Sequence, residues 1–403
     1  MKPIKICIVG AGQFAQCFVH LFQAHPLVSE VSLAELIPQR RAEEAKRLGI
    51  TRTFASLEEA LSSDVDALGI FTQRHLHAPM AIKALNAGKH VYSCVPAGVT
   101  LEELEELIAT VQRTGLTYMM GETSLYSSNR VFCQEKWDAG AFGHFVYGEG
   151  EYYHDMSHGF YDAYQYSGGA DWKKTASYPP MLYPTHSLGM VLGTTGARAT
   201  GVSCLGWKDR SDDGVFDTGV SLWKNDLSNQ TALFRTSDGG MMRINEFRRI
   251  GQSGGRSVRL SIYGTEGSFE EQSNGAIWTS RTMQGWENVE PQIACAGVYT
   301  HEQWDAVKVN EALKKDFAGG FAKVHQKYRS RLPESFHDQP NGHDGSHQFL
   351  ADDFVKSVFY GTPPTCDAWD AARFDAPGIV AHQSSLQGGA FLTIPDFGKS
   401  GQR

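Results

Sequence analysis

"IKICIVGAGQFA", residues 4–15, joins a short apolar run to Gly10-x-Gly12-x-x-Ala15. A strand that runs through a glycine turn into a helix brings backbone N–H groups and a helix N-terminus up to a pyrophosphate. The first glycine permits the tight turn and the second the close approach. Gln13 and Phe14 fill the variable positions of that turn. The next apolar run, "VSLAEL", closes on Glu35, at the spacing of roughly 20 residues where a carboxylate accepts the adenosine ribose hydroxyls. A 2'-phosphate would be repelled there, so the expected cofactor is NAD. Arg40 and Arg41 argue the other way, because a guanidinium holds a phosphate well, yet at a helix start they also read as solvated charges.

Outward from this turn the apolar runs continue as "DALGIF", "HVYSC" and "TYMMGE", with amphipathic segments between them. That alternation belongs to a parallel sheet covered by helices. Ser56 with Glu59, and Thr100 with Glu103, have capping-box spacing, and Leu101, Leu104, Leu107, Ile108 and Val111 then share one helix face. The expectation is a doubly wound α/β dinucleotide-binding domain over residues 1–123. Thr72, His75 and His77 follow a strand's carboxyl end, the edge where open α/β sheets take ligands, although His77 also suits a helix cap. Val95, Pro96 and Glu122 end the later runs and join the expected cofactor contacts, and Tyr126 is read as a substrate contact.

Composition narrows the classes. The chain has 403 residues, enough for about two domains, and a net charge of -8 without a Lys/Arg run. Nucleic acid and anionic membranes are therefore poor partners. The seven cysteines are odd in number and scattered, with no CxxC, which fits buried small residues in a reducing compartment and argues against zinc. The first apolar run is too short for a signal peptide and passes into the glycine turn, and no stretch is long enough to span a bilayer. A cytoplasmic protein with no metal is expected.

After residue 123 the alternation stops. "NRVFCQEKWDAGAFG" reads as a helix, and "HFVYGEGEYYHD", "TGVSLWK", "QTALFRTS", "GGMMRINEF" and "SVRLSIYGT" read as successive strands. Residues 124–403 are expected to form a substrate-binding and oligomerising α+β domain with a largely antiparallel sheet. Residues 285–345 read as loops with a helix around "WDAVKVNEALKKDF", and "SHQFLADDFVKSVFYG" and "AWDAARFDAPGIVAHQSSLQGG" read as two further helices.

Three constellations in this half carry chemistry. In "YPTH", Tyr183 and His186 stand three residues apart near one helix face, with Thr185 as a cap. A histidine that titrates near neutrality beside a tyrosine supplies acid and base; a core histidine packed under a tyrosine is the plainer reading. In "EYYHDMSH", Tyr152, His154 and Asp155 end a strand, where Asp155 could orient the imidazole. His154 and His158 have a spacing seen in metal sites, but on a strand end they need not face one way. In "NGHDGSH", His343 and His347 sit on a glycine-rich turn into a helix, as loop chemistry or as a substrate contact.

These residues resemble the Gfo/Idh/MocA superfamily and, within it, the NAD-dependent glycoside hydrolases typified by bacterial α-N-acetylgalactosaminidases. The resemblance rests on "VPA" at Val95–Ala97, where many sugar dehydrogenases have a catalytic Lys-Pro, on "YYHD" at Tyr152–Asp155 and on "YPTH" at Tyr183–His186. "NGHDG" at Asn341–Gly345 and "IPDF" at Ile394–Phe397 complete it. Cys94 replaces that family's glutamate, and Pro180-Met181 its Gly-Asn, which puts N-acetylgalactosamine in doubt as substrate. The resemblance implies a glycosidase that oxidises C3 transiently, eliminates the aglycone, adds water and re-reduces the ketone. It gives His186 the C3 hydroxyl proton, Tyr183 the C2 proton, and Tyr152 with His154 the leaving group and water, with these roles interchangeable. Trp172, Lys173 and Lys174 lie just upstream of "YPTH", and a cation beside an aromatic platform suits an anionic sugar such as a sulfoquinovoside. A plain sugar dehydrogenase and a non-catalytic NAD or sugar sensor are the other readings, and a homo-oligomer is expected.

Overall fold

The computed structural model describes residues 2–252, 255–295, 320–337, 339–343 and 345–401. The chain forms two compact units, one of Met1–Ser128, Cys295–Ala371 and Lys399–Arg403, the other of Asn129–Ala294 and Ala372–Gly398.

The first unit is the expected doubly wound fold. Strands β1 (Ile4–Val9), β2 (Val28–Ala34), β3 (Thr53–Phe54), β4 (Ala67–Ile70), β5 (His90–Ser93) and β6 (Tyr118–Met120) alternate with helices α1 (Gln13–Ala24), α2 (Pro38–Leu48), α3 (Leu57–Leu61), α4 (His77–Asn86) and α5 (Leu101–Thr114). The strand order is β3-β2-β1-β4-β5-β6 and every pair is parallel, the order of dinucleotide-binding sheets. Both expected caps form, but each glutamate bonds the amide before the cap residue instead of the cap's own, so the boxes are not closed in the expected way. Ser56 accepts from the Glu59 amide at 3.2 Å while Glu59 accepts from Ala55 at 2.7 Å, and Thr100 with Glu103 repeats this at 3.2 and 2.7 Å.

One correction concerns the domain limits. Cys295–Ala371, expected within a second domain of 124–403, belongs to the first unit. The helix Ser346–Tyr360 sets Phe354 against Phe22 and Tyr92, with ring centroids 6.5 and 5.6 Å apart. Phe349, Phe354 and Val355 are fully buried in the same core as Phe18 and Phe22. The helix thus covers apolar surface of α1 that the sheet leaves open. The helix expected around "WDAVKVNEALKKDF" lies outside the described residues.

The second unit is built on a nine-stranded sheet. It holds α6 (Ser128–Asp138), β7 (Phe145–Tyr153), α7 (Tyr161–Gly168), α8 (Trp172–Ala176), α9 (Thr185–Thr195), β8 (Ala199–Lys208), β9 (Leu227–Thr236) and β10 (Met241–Phe247). β11 (Val258–Gly264), β12 (Gly267–Gln272), β13 (Gly275–Ser280), β14 (Glu287–Asn288) and β15 (Leu392–Thr393) complete it. The order is β14-β13-β12-β11-β7-β10-β9-β8-β15, antiparallel except for β7 with β10. The expected strand "TGVSLWK" is a turn. Asp217 takes the Gly219 amide on its side chain at 2.7 Å and the Val220 and Ser221 amides on its carbonyl at 3.0 and 2.8 Å, so its local bonds outcompete a ladder. β8, unread in the sequence, takes the place of that strand beside β9.

The alternation along β7 decides what the sheet can hold. Gly148, Gly150 and Tyr152 point to one face, where a Cβ on Gly148 would meet Val191 at 2.8 Å and one on Gly150 the Ser187 carbonyl oxygen at 2.3 Å. The two glycines let α9 lie directly on β7, over Met242, Ile244, Leu260 and Ile262, all fully buried. On the other face Glu151 takes Arg259 at 2.6 Å and Arg243 at 3.0 Å, and Leu205, Trp207, Leu233 and Met241 are exposed. No helix among the described residues is long and apolar enough to cross a membrane.

Candidate active site

In the first unit the glycine turn fits a dinucleotide. Gly10 has φ +92°, and a Cβ there would stand 2.7 Å from the Phe71 carbonyl oxygen, so backbone fills the place of a side chain. Gly12 precedes α1 without any side-chain cap, which leaves the first-turn N–H groups for an anion. Glu35 accepts from the Ala11 amide at 3.0 Å and from the Ile37 amide at 2.9 Å, and Arg41 donates to its carbonyl at 2.7 Å. Its carboxylate is thereby pinned between the turn and α2. Leu36 and Ile37 beside it are exposed. Gln13, Phe14 and Arg40 are half-buried.

The other expected ligand contacts of this unit have the following surroundings. His77 is buried, with Nδ1 2.8 Å from the Pro96 carbonyl and Nε2 3.1 Å from the Thr72 carbonyl. Burial holds its imidazole down to about 4 against both carbonyls. Its ring therefore lies between the loop after β4 and the loop after β5, where the Val95–Pro96 peptide is cis. Thr72 donates to the Met80 sulfur at 3.5 Å, and His75 is half-buried, its imidazole lowered by burial. Glu122 is buried and caps a short turn through the Ser124 amide at 2.8 Å. Tyr126, read as a substrate contact, has its hydroxyl bonded to Asp353 and 2.9 Å from Arg331, and its ring stacked on Phe349. His343 likewise belongs to the first unit, 2.8 Å from His347 and edge-on to Phe14 of the glycine turn.

The second unit gathers the four expected catalytic residues on the glycine-lined face. His186 is the second residue of α9, and its Nε2 lies 3.3 Å from the Tyr183 hydroxyl. Thr185 does not cap that helix; it is its first residue, with Pro184 before it. The Tyr152 ring, at the end of β7, faces His186, His154 and Tyr183 with centroids 5.1, 5.3 and 5.9 Å away. Tyr152 and His186 are 6% and 7% exposed, so proton-carrying groups meet here with little water around them. His154 stacks on Phe160 at 3.9 Å and 14°. Phe160 ends a five-residue π-type turn, Met156–Phe160.

Asp155, expected to orient His154, bonds the turn that follows it. Its carboxylate takes the Ser157 amide and hydroxyl at 2.9 and 2.7 Å and the Ile250 amide at 2.8 Å. Burial would raise this carboxyl, and those bonds hold it below its ordinary value. It fixes the turn that carries Phe160, and so places His154 through stacking. Lys173 donates to the Asp213 carbonyl at 2.6 Å, Lys174 pairs with Asp171 at 2.9 Å, and Trp172 sits edge-on to Tyr161. Among the described residues no group of three or more His, Cys, Asp or Glu stands where it could hold a metal ion.

Glu246 and Arg248 escaped the sequence reading. Glu246 is fully buried beside Tyr152 in the β7–β10 register, accepts from Ser187 of α9 and pairs with Arg248 at 2.9 Å. Burial pushes its carboxyl up to about 7, against the pull of Arg248, Ser187 and His186. The signal was an acid and a base two residues apart in "NEFRR", hence on one side of a strand.

Residues 4–122 match the Gfo/Idh/MocA family, described as an oxidoreductase family with an NAD-binding Rossmann fold. The nucleotide-binding part of this chain is what carries that match. NAD is its cofactor, and the Gfo/Idh/MocA turn at Gly10–Phe14 with Glu35 is where the chain's groups suit it. A glycosyl hydrolase family 109 protein of Streptomyces filamentosus is 25% identical over 419 residues, covering 98% of this chain and 78% of that protein. An α-N-acetylgalactosaminidase of Shewanella oneidensis is 27% identical over 203 residues, 47% of this chain and 44% of that protein. The fold is shared with scyllo-inositol dehydrogenase from Lactobacillus casei, solved with NAD(H) and scyllo-inositol, at a TM-score of 0.67 and 17% identity over 97% of this chain and 99% of that one. The chain is thus an NAD-dependent enzyme among Gfo/Idh/MocA relatives that are glycosidases or oxidoreductases.

Proposed function

We propose that the protein is an NAD-dependent glycosidase that releases its aglycone by elimination beside a transient sugar ketone. The observation that carries the reading is the cluster of Tyr152, Tyr183 and His186, with His186 Nε2 3.3 Å from the Tyr183 hydroxyl, in a chain whose Val95 cannot carry a proton. The glycosidase names of the full-length relatives support it.

Bound NAD supplies a hydride acceptor that returns the hydride, so the sugar leaves without net oxidation. His186 takes the proton of the hydroxyl that becomes the ketone. The ketone acidifies the neighbouring C–H, and one tyrosine of the cluster removes that proton. The other tyrosine, with His154, protonates the leaving oxygen and then draws a proton from water. Each transfer is general acid–base work in a site from which water is largely excluded.

The expected lysines of an anionic-sugar site have partners within the chain, and Lys173 also lies 5.8 Å from the Trp172 ring centroid. The Nζ atoms of Lys173 and Lys174 hold the Asp213 carbonyl and Asp171, so we propose the reaction without a sulfonate site. Aglycone release from matched neutral and sulfonated α- and β-glycosides, with and without NAD, tests the reading. NAD-dependent release from neutral glycosides is expected. Stoichiometric NADH without aglycone would instead make the protein a dehydrogenase, and ligand binding without product a sensor.

A further inference from the structure

A charge covers one face of the Tyr152 ring. The Arg248 guanidinium carbon stands 4.7 Å from the ring centroid. Glu246 at 2.9 Å, the Phe247 carbonyl at 3.1 Å and the Tyr152 carbonyl at 3.5 Å hold it there. The side chains of the pair are 6% and 0% exposed, and Glu246 is the direct partner of Tyr152 across the parallel strands. A buried ion pair is seldom needed for stability, since well-packed apolar groups serve as well or better. A cation over an aromatic ring is attracted by the ring's negative face, and the attraction grows once the phenol has lost its proton, most of all where water is excluded. Among the described residues His154, Tyr183 and His186 also face Tyr152, and none of these three carries a permanent positive charge.

We propose that Arg248 and Glu246 are positioning residues that make Tyr152 the base of the cluster, Arg248 by stabilising its phenolate and Glu246 by fixing Arg248 and partly offsetting its charge. The proposal rests on the reading that this cluster carries the proton transfers. Tyr152 then accepts the proton from the carbon beside the sugar ketone. The phenol O–H forms, the C–H bond breaks, and its electron pair passes into the enolate that expels the aglycone. This reassigns to Tyr152 the carbon proton that the resemblance placed on Tyr183.

The test needs no substrate. Ultraviolet difference titration of the NAD-loaded protein, wild type minus Tyr152→Phe, isolates the ionisation of this one ring, and the same subtraction is made in each variant. Arg248→Met moves the midpoint up by about one pH unit, the effect of losing a desolvated cation from the ring face. Glu246→Gln keeps hydrogen-bonding capacity but removes the opposing charge, so it moves the midpoint down. Arg248→Lys falls between wild type and Arg248→Met. A purely structural pair would give unmoved midpoints, or shifts of one sign in both variants, and either result overturns the proposal. Should Arg248→Met not fold, Glu246→Gln and Arg248→Lys decide it alone by the same signs. The pH limb of turnover should follow the same shifts. Loss of turnover in wild type would strike the glycosidase reading, whereas unmoved ring midpoints would strike only this inference.

Discussion

Gly150 of β7 lies so close to Ser187 of α9 that a Cβ on the glycine would stand 2.3 Å from the Ser187 carbonyl oxygen. This approach seats His186 beside Tyr152 and Ser187 beside Glu246. Gly150→Ala should push the helix off the strand, lower stability by about 1–3 kcal/mol as overpacking does, and reduce turnover more than NAD affinity. Chemical denaturation and calorimetry with NAD check both parts. Unchanged stability with full turnover would mean the helix gives way freely.

Gly10→Ala meets the Phe71 carbonyl at 2.7 Å and must hold φ +92°. We expect NAD affinity to fall about tenfold or more, since left-handed backbone and a clash each cost on the order of 1 kcal/mol or above. Wild type should prefer NAD to NADP because Glu35, pinned by the Ala11 and Ile37 amides, repels a 2'-phosphate. Calorimetric titration with both dinucleotides decides it, and a preference for NADP would assign the phosphate to Arg40 or Arg41.

Much of this was legible in the sequence for a local reason. The glycine turn, Glu35, the helix caps and "YPTH" are short-range patterns whose geometry follows from strand and helix periods. What escaped depends on contacts between distant segments. Glu246 meets Tyr152 only because β7 and β10 pair in parallel, and Phe354 reaches Phe22 only because a late helix returns to the first unit. The backbone partners of Asp155 and His77 were not legible, because a carboxylate or imidazole near a ligand edge looks the same in sequence whether it meets ligand or backbone. Here backbone amides and carbonyls occupy both.

Tyr183→Phe and His186→Ala should each lower turnover by about a hundredfold or more, the usual worth of a general acid or base, while NAD binding stays intact. Val95→Lys should not raise glycosidase activity. Steady-state kinetics beside calorimetry separates these effects, and near wild-type turnover in both "YPTH" variants would remove the cluster from the chemistry.

Acid should destabilise the protein through its buried histidines. Burial lowers His20, His77 and His382 from 6.5 to about 4, and lowers His347 well below 6.5 too. The unfolded chain binds their protons from about 6.5 downward while the native state resists to about 4. The stability they contribute is therefore complete above 6.5 and is lost as pH falls through that window, by roughly 1–2 kcal/mol for each between pH 7 and 5. Glu246, raised from 4.5 to about 7, acts in the opposite sense, its contribution being lost as pH rises through 7, but it is one group against four. Denaturation midpoints at pH 7 and 5 should show a clear net loss at pH 5, and equal midpoints would contradict these burial effects.

The transient ketone is tested most directly by NMR of the sugar released in heavy water, with NADH absorbance followed alongside. Elimination beside a C3 ketone removes the C2 proton to a side chain that exchanges with solvent, so the product should carry deuterium at C2. A catalytic amount of NAD should support many turnovers without NADH accumulating. Direct hydrolysis never breaks the C2–H bond. Product with hydrogen retained at C2, formed without any need for NAD, would contradict the account.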